Sequence, residues 1–149
     1  LGVVNELESI ETFVKATFPD AMTEKQIVPR EPYSGLFVIR LINDGRTTET
    51  FQHYRADRDY QVIYFGAQVA DVLAKMDALS TALYDRNLIP INASSRYIRV
   101  GAFSFAQPFE TDGDLFASIG VLRAQVRERR TQADVPLIAE VRTEITTKI

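Results

Sequence analysis

The stretch "RDYQVIYFGAQVADVLAKMDALSTALYDR", Arg58 to Arg86, changes period in its middle, and that change decides the fold. Up to Phe65 the residues alternate, with Tyr60, Val62 and Tyr64 on one face and Asp59, Gln61, Ile63 and Phe65 on the other, which is the signature of a strand. After Gly66, Val69, Val72, Leu73, Met76, Leu79 and Leu83 recur at three- and four-residue steps and mark one stripe of a helix. A strand that passes through glycine into a helix is also how many proteins hold phosphate. Gly66 stands alone, however, without a G-x-G-x-x-G pattern or a following Lys-Ser/Thr pair, so neither a nest of amides nor a counter-charge is supplied. It reads as a corner between sheet and helix.

Working outward, "VVNELESIETFVKATFPD" carries Val4, Leu7, Ile10, Val14 and Phe18 at helical spacing, and Pro19 ends the pattern. Glu24 to Val28 reads as a short edge strand. "GLFVIRLIND" alternates Phe37, Ile39 and Leu41 against Leu36, Val38, Arg40 and Ile42, so it is predicted to be a central strand with two apolar faces. "NDGRTTETFQHYRAD" opens on a turn signal and is either an extended hairpin arm or a loop. Beyond the second helix, Tyr97 to Phe105 and Leu115 to Arg129 are further strands, separated by Pro108 and the "TDGD" turn. The alternation of the second shifts near Gly120, which predicts a bulge or bend. The expectation is an α+β domain over residues 1–130: a mainly antiparallel sheet of four to five strands with two helices packed on one face. Residues 131–149 form a C-terminal extension whose apolar residues leave strand and helix both open.

A chain of 149 residues, 46% hydrophobic, suits one domain with a real core. No apolar run is long enough for a transmembrane helix, and the acidic N-terminus does not read as a signal peptide, so a protein made and kept in a cytosol is expected. The lack of cysteine excludes disulfides and thiolate chemistry. The formal charge of −3 speaks against broad electrostatic binding of nucleic acid.

Reactive groups are sparse. His53 is the single histidine and has no recognisable catalytic or metal partner in sequence, so a surface or interface role suits it best. Asp57 and Asp59 share a strand face, for which a solvated edge is the simplest account. Arg123, Arg127 and Arg129 also share one face, where they either remain solvated or grip phosphates or a neighbouring subunit's carboxylates. Phe51 and Tyr54, set among threonines and charges, are the aromatic residues hardest to place in a core. Tyr60, Tyr64, Phe103, Phe105 and Phe109 lack an RNA-binding string beside them and are read as core. No catalytic residue, cofactor or metal site is predicted.

The succession "ELESIETFVKATFPDA", "GLFVIRLIND", "HYRADRDYQVIYFG", "ADVLAKMDALSTAL" and "DGDLFASIGVLRAQV" resembles the small tail terminator proteins of long-tailed phages, also called tail-to-head joining proteins. The likeness lies in the order and texture of elements from Glu6 to Val126. "SSRYIRVGAFSFAQPFET" is longer than that pattern, and the segment beyond Arg130 has no counterpart in it. The resemblance implies an α/β sandwich without enzymatic activity. It implies a ring, usually a hexamer, that caps the tail tube at the head-proximal end and meets the head completion or neck protein. The tube protein, and a sheath where there is one, would be the other partners. No membrane or specific nucleic acid is implied, although DNA would pass through the lumen. Synthesis would be in a bacterial host's cytoplasm. Candidate subunit contacts are then Phe51, His53 and Tyr54 on the Asn43–Tyr54 arm, with Arg123, Arg127 and Arg129. The alternatives are another neck or tail completion protein, a small nucleic-acid-binding module, and a ligand-binding or enzymatic α+β domain.

Overall fold

The computed structural model describes residues 2–131. Along the chain come α1 (Val3–Thr17), β1 (Met22–Lys25), β2 (Leu36–Thr48), β3 (His53–Gly66), α2 (Val69–Arg86), β4 (Leu88–Pro90), β5 (Tyr97–Phe105), β6 (Phe109–Glu110) and β7 (Phe116–Arg129). The strands lie in the order β1-β2-β3-β7-β5-β4, with β6 beside β7. The C-terminal extension expected over 131–149 falls outside the described residues apart from Thr131.

The expected fold class needs correction. The sheet has seven strands, is mixed, and curls into a half-barrel, and with 45% strand against 25% helix the domain is mostly sheet. Two causes are visible. β4 and β6 are three and two residues long, too short for alternation to register in sequence. β1 runs parallel to β2, whereas the other pairs are antiparallel. Residues 26–35 make that parallel pair by carrying the chain back to the end of the sheet where β1 began, with Val28 packed on the face away from the helices.

Both helices do cover one face. Leu7, Ile10, Phe13 and Val14 of α1, and Val72, Met76, Leu79 and Leu83 of α2, are buried with Phe37, Ile39, Tyr60, Val62, Tyr64, Phe103 and Leu122. The stripes predicted from sequence hold except toward their N-terminal ends, where Val4, Val69 and Leu73 are exposed. The opposite face is divided. Near β1 it holds a second apolar cluster of Leu36, Val38, Ile63, Phe65 and Ala117, with Val28, Leu115 and Ile119 packed against it. Farther along β2, β3 and β7 the same face turns polar.

Two glycines are explained by close approach. A Cβ on Gly66 would stand 2.8 Å from Val72 Cγ2 and 3.2 Å from Asp71 Oδ2, so this corner is where the start of α2 presses on the sheet. Beside it the Tyr64 hydroxyl lies 3.3 Å from Asp71 Oδ2, and burial together with that carboxylate pushes the phenol up to about 12. The bend predicted at Gly120 is corrected: β7 pairs with β3 without interruption there, Val62 facing Gly120, and the breaks in register fall instead between Leu41 and Asn43 and between Val100 and Ala102. Gly120 is small because Phe103 and Met76 sit over it, 2.7 Å and 2.9 Å from the place of a Cβ. Gly120→Ala is therefore expected to cost roughly 1–3 kcal/mol as an overpacked core position. A urea midpoint equal to that of the parent would show that the Phe103 ring has room to move.

Candidate functional site

β2, β3 and β7 continue together past the apolar cluster, which ends at Val126, and form a three-stranded arm. The turn joining β2 to β3 closes through Glu49 N and Thr50 N, which donate to His53 O at 3.2 and 3.0 Å, and through His53 N, which donates to Thr50 Oγ1 at 3.0 Å. Arg130 N donates to Gln52 O at 2.8 Å, so β7 reaches the tip as well. The polar segment of the sequence is thus the hairpin arm rather than the loop.

At the tip Phe51 is 95% exposed. Tyr54, half-buried, lies on the face continuous with the helices, between Arg46 and Arg130, whose guanidinium carbons stand 5.6 and 5.7 Å from its ring centre. Arg46 also reaches the Tyr54 hydroxyl at 3.3 Å, and Arg130 donates to Thr48 Oγ1 at 3.0 Å. The phenol ring therefore stiffens the arm through paired cation–π contacts.

The outward face of the arm is a lattice of charges. His53 pairs with Arg129, Arg55 with Arg127, Asp57 with Gln125 and Asp59 with Arg123 across the β3–β7 ladder. Arg123 bonds Asp59 at 3.2 Å, Arg127 bonds Glu49 at 2.9 Å, and Arg55 bonds Asp57 at 2.9 Å. Asn43, Gly45, Asp57, Asp59, Arg123 and Gln125 border a shallow cleft of ≈ 300 Å³ in this face. These pairs are partly exposed, so each is worth little alone, and they act mainly by fixing the arginine heads in place.

Of the residues predicted from sequence, His53, Arg127 and Arg129 come together on the outward face near the tip, and Arg123 lies on the same face about 20 Å from Arg129 along the strand. Tyr54 takes the opposite face and Phe51 the turn. Arg130, part of the late basic cluster in the sequence, completes the surroundings together with Arg46, Glu49 and Arg99, which were not singled out in the sequence. Their signal is register, since Arg99 faces Gln125 between Arg123 and Arg127 only once β5 is paired with β7.

No protein-family model matches the chain, and no curated protein is similar to it. Among solved structures, the chain is 14% identical to a protein known by a sequence identifier alone, with a TM-score of 0.46 over 87% of this chain and 93% of that one. It is 18% identical to a chain of the virion of a native gene transfer agent particle, with a TM-score of 0.38 over 77% of this chain and 84% of that one. The chain thus has a weak structural similarity to a component of a phage-like virion particle.

Beneath the arm lies an ionic cluster on the helix-covered face, which the sequence reading missed. Arg58, 3% exposed, is paired through Nη1 with Glu6 of α1, itself 2% exposed, and through Nε with Asp44 of β2 at 2.9 Å. The Tyr60 hydroxyl donates to the other Glu6 oxygen at 2.9 Å. Burial raises the Glu6 pKa, against the opposing pull of Arg58 and Tyr60. Burial also works against the charge on Arg58, but Glu6 and Asp44 outweigh it and hold that pKa above its ordinary value. The cluster ties the first helix to the base of the arm. No group of three or more potential metal ligands occurs among the described residues, and no helix there is long and apolar enough to cross a membrane.

Proposed function

We propose that this chain is a structural virion protein, a tail terminator that assembles as a hexameric ring at the head-proximal end of a phage tail. Its partners would be the tail tube below, with a sheath where there is one, and the head completion or neck protein above. The role is one of assembly, not of catalysis. The sequence resemblance suggests the family, and one structural observation carries the assembly reading: a nearly fully exposed phenylalanine at the tip of an arm whose backbone is paired along three strands. An aromatic displayed on an ordered support is what a protein interface uses as an anchor, because little conformational freedom is lost on docking. The fixed arginines on the outward face supply the polar surround of such a contact.

The test is native mass spectrometry and sedimentation of the purified chain, followed by electron microscopy after mixing with tail tubes. Hexameric rings seated on one end of each tube are expected. A chain that stays monomeric throughout the micromolar range and leaves tube ends bare sinks the proposal.

The nucleic-acid alternative is favoured by one feature, the grouping of Arg99, Arg123, Arg127 and Arg129 on a single face. It predicts that neutralising these residues weakens a complex and flattens its salt dependence. The expected result is instead no specific complex with duplex or single-stranded DNA at physiological salt, and a submicromolar complex with a steep salt slope would favour the alternative.

A further inference from the structure

A cavity opens where α1 ends. Phe18 closes that helix, its N–H donating to Val14 O at 2.8 Å, and its ring stacks on Phe37 with centres 5.3 Å apart. Phe37 in turn meets Tyr64 at 4.6 Å, and Asp71 holds the Tyr64 hydroxyl at 3.3 Å. These three rings line a cavity of ≈ 340 Å³ whose border includes Asp20, Gly35 and Lys75. The Lys75 ammonium stands over the Phe18 ring, 4.9 Å from its centre. A space of about 150 Å³ already admits a benzene ring, so this one accepts a benzyl side chain with part of its backbone. A lining of aromatic rings favours an aromatic guest, because offset and edge-to-face ring pairs add to the gain from burial.

Electrostatics select what carries that guest. The carbonyl end of α1 borders the cavity, and the last turn of a helix carries partial negative charge. Asp20 on the border and Asp71 behind Tyr64 add two carboxylates against the single ammonium of Lys75, and Lys15 of the last turn lies off the border. The surround is therefore net acidic. The arm tip is its complement. Phe51 and Arg130 border one shallow hollow there, Arg46 stands across the Tyr54 ring, and Glu49 is already held by Arg127.

We propose that Phe51 of one copy seats in the Phe18–Phe37–Tyr64 cavity of a second copy, with Arg130 of the inserted tip directed at Asp20. This rests on the assembly reading above and names the receptor for the arm tip. The two sites lie at opposite ends of β2: Phe37 lines the cavity near the start of the strand, and Thr48 ends it at the tip, about 35 Å away. An arm paired along three strands cannot fold back over that distance into its own cavity. A contact between two different surfaces repeats from copy to copy, and it closes into a ring when its rotation allows.

Disulfide trapping tests the contact, since the chain contains no cysteine and background is absent. Gln52, next to Phe51, and Asp20 are both exposed, so the full-length Gln52→Cys/Asp20→Cys chain should keep the parent's thermal midpoint under reducing conditions. A disulfide requires Cα atoms within roughly 7 Å of each other, which only the seated tip supplies. Oxidation is expected to give a ladder of covalent oligomers ending at the ring, while each single-cysteine chain gives no ladder. Adding Phe51→Ala should cut the crosslinked yield by on the order of tenfold or more. Rings seen by native mass spectrometry without the ladder overturn the cavity as receptor and leave the assembly reading standing. A covalent dimer closed by two disulfides, with nothing larger, upholds the contact and removes the ring. A chain that neither assembles nor crosslinks overturns both.

Discussion

Arg58→Ala lowers the unfolding free energy by about 3–5 kcal/mol, the range for removing one partner of a buried ion pair. The cost comes less from the lost attraction than from what stays behind. Glu6 remains 2% exposed on α1, with Tyr60 as its only other hydrogen-bond partner among the described residues. Asp44 loses its 2.9 Å bond to Arg58 and keeps the more exposed Arg46 at 3.3 Å. Replacing both ends with neutral groups of similar size is a different experiment: Glu6→Gln/Arg58→Met keeps an acceptor for Tyr60 and removes both charges. Most of the lost stability should return in that double variant, because a buried ion pair and a well-packed neutral pair are often close in free energy. Urea denaturation of the single and double variants makes the measurement. A single variant within about 1 kcal/mol of the parent would mean that water reaches Glu6, as at a surface pair.

The pH dependence follows from the direction of the Glu6 shift. Its folded pKa is raised by burial, so the folded chain holds this proton more tightly than the unfolded chain does. Its contribution to stability is therefore fully present below the unfolded carboxylate value and declines as pH rises through the folded one. Without Arg58 the opposing pull disappears and the decline steepens. The stability gap between parent and Arg58→Ala should thus narrow as pH is lowered through the carboxylate range and widen toward neutrality. A gap independent of pH would show that the carboxylate is not the source of the cost.

That cluster marks the boundary of what sequence reading could reach. The period change at Gly66 identified β3 and α2, because alternation over seven residues and a stripe over four turns are local patterns. The helices at α1 and α2 and the long strands β2, β3, β5 and β7 all announce themselves this way. The parallel β1, the minimal β4 and β6, and the curl of the sheet depend on pairings far apart in the chain, which no local period encodes. The same holds at the candidate site. Phe51 stood out because an aromatic in a polar run lacks a core partner, but the lattice around Arg123 and Arg127 required the β3–β7 register. Arg58 did leave a trace: it shares the parity of Tyr60, Val62 and Tyr64, and an arginine on the apolar face of a strand calls for a buried carboxylate. Glu6 sits one helical turn before Ile10 on the buried stripe of α1, where that partner belonged.

On the proposed assembly, Phe51→Ala is expected to weaken self-association by about 30- to 1000-fold, corresponding to ~2–4 kcal/mol per interface for an aromatic anchor at its centre. The domain itself should not respond. Phe51 is 95% exposed and lies outside both apolar clusters, so its truncation removes no core contact and leaves the thermal midpoint in place. Tyr54 separates the two roles within the arm. Tyr54→Ala removes the ring between Arg46 and Arg130 and lets the tip loosen, so it should weaken assembly indirectly and lower stability slightly, through contacts worth about 0.5–1 kcal/mol each at an exposed site. Adding it to Phe51→Ala should give less than the sum of the two effects, since an anchor already absent gains nothing from an ordered support. Sedimentation velocity across a concentration series, on the parent, both single variants and the double variant, separates these cases. A Phe51→Ala chain that still forms rings and caps tubes at parental concentrations removes the arm tip from the proposed interface.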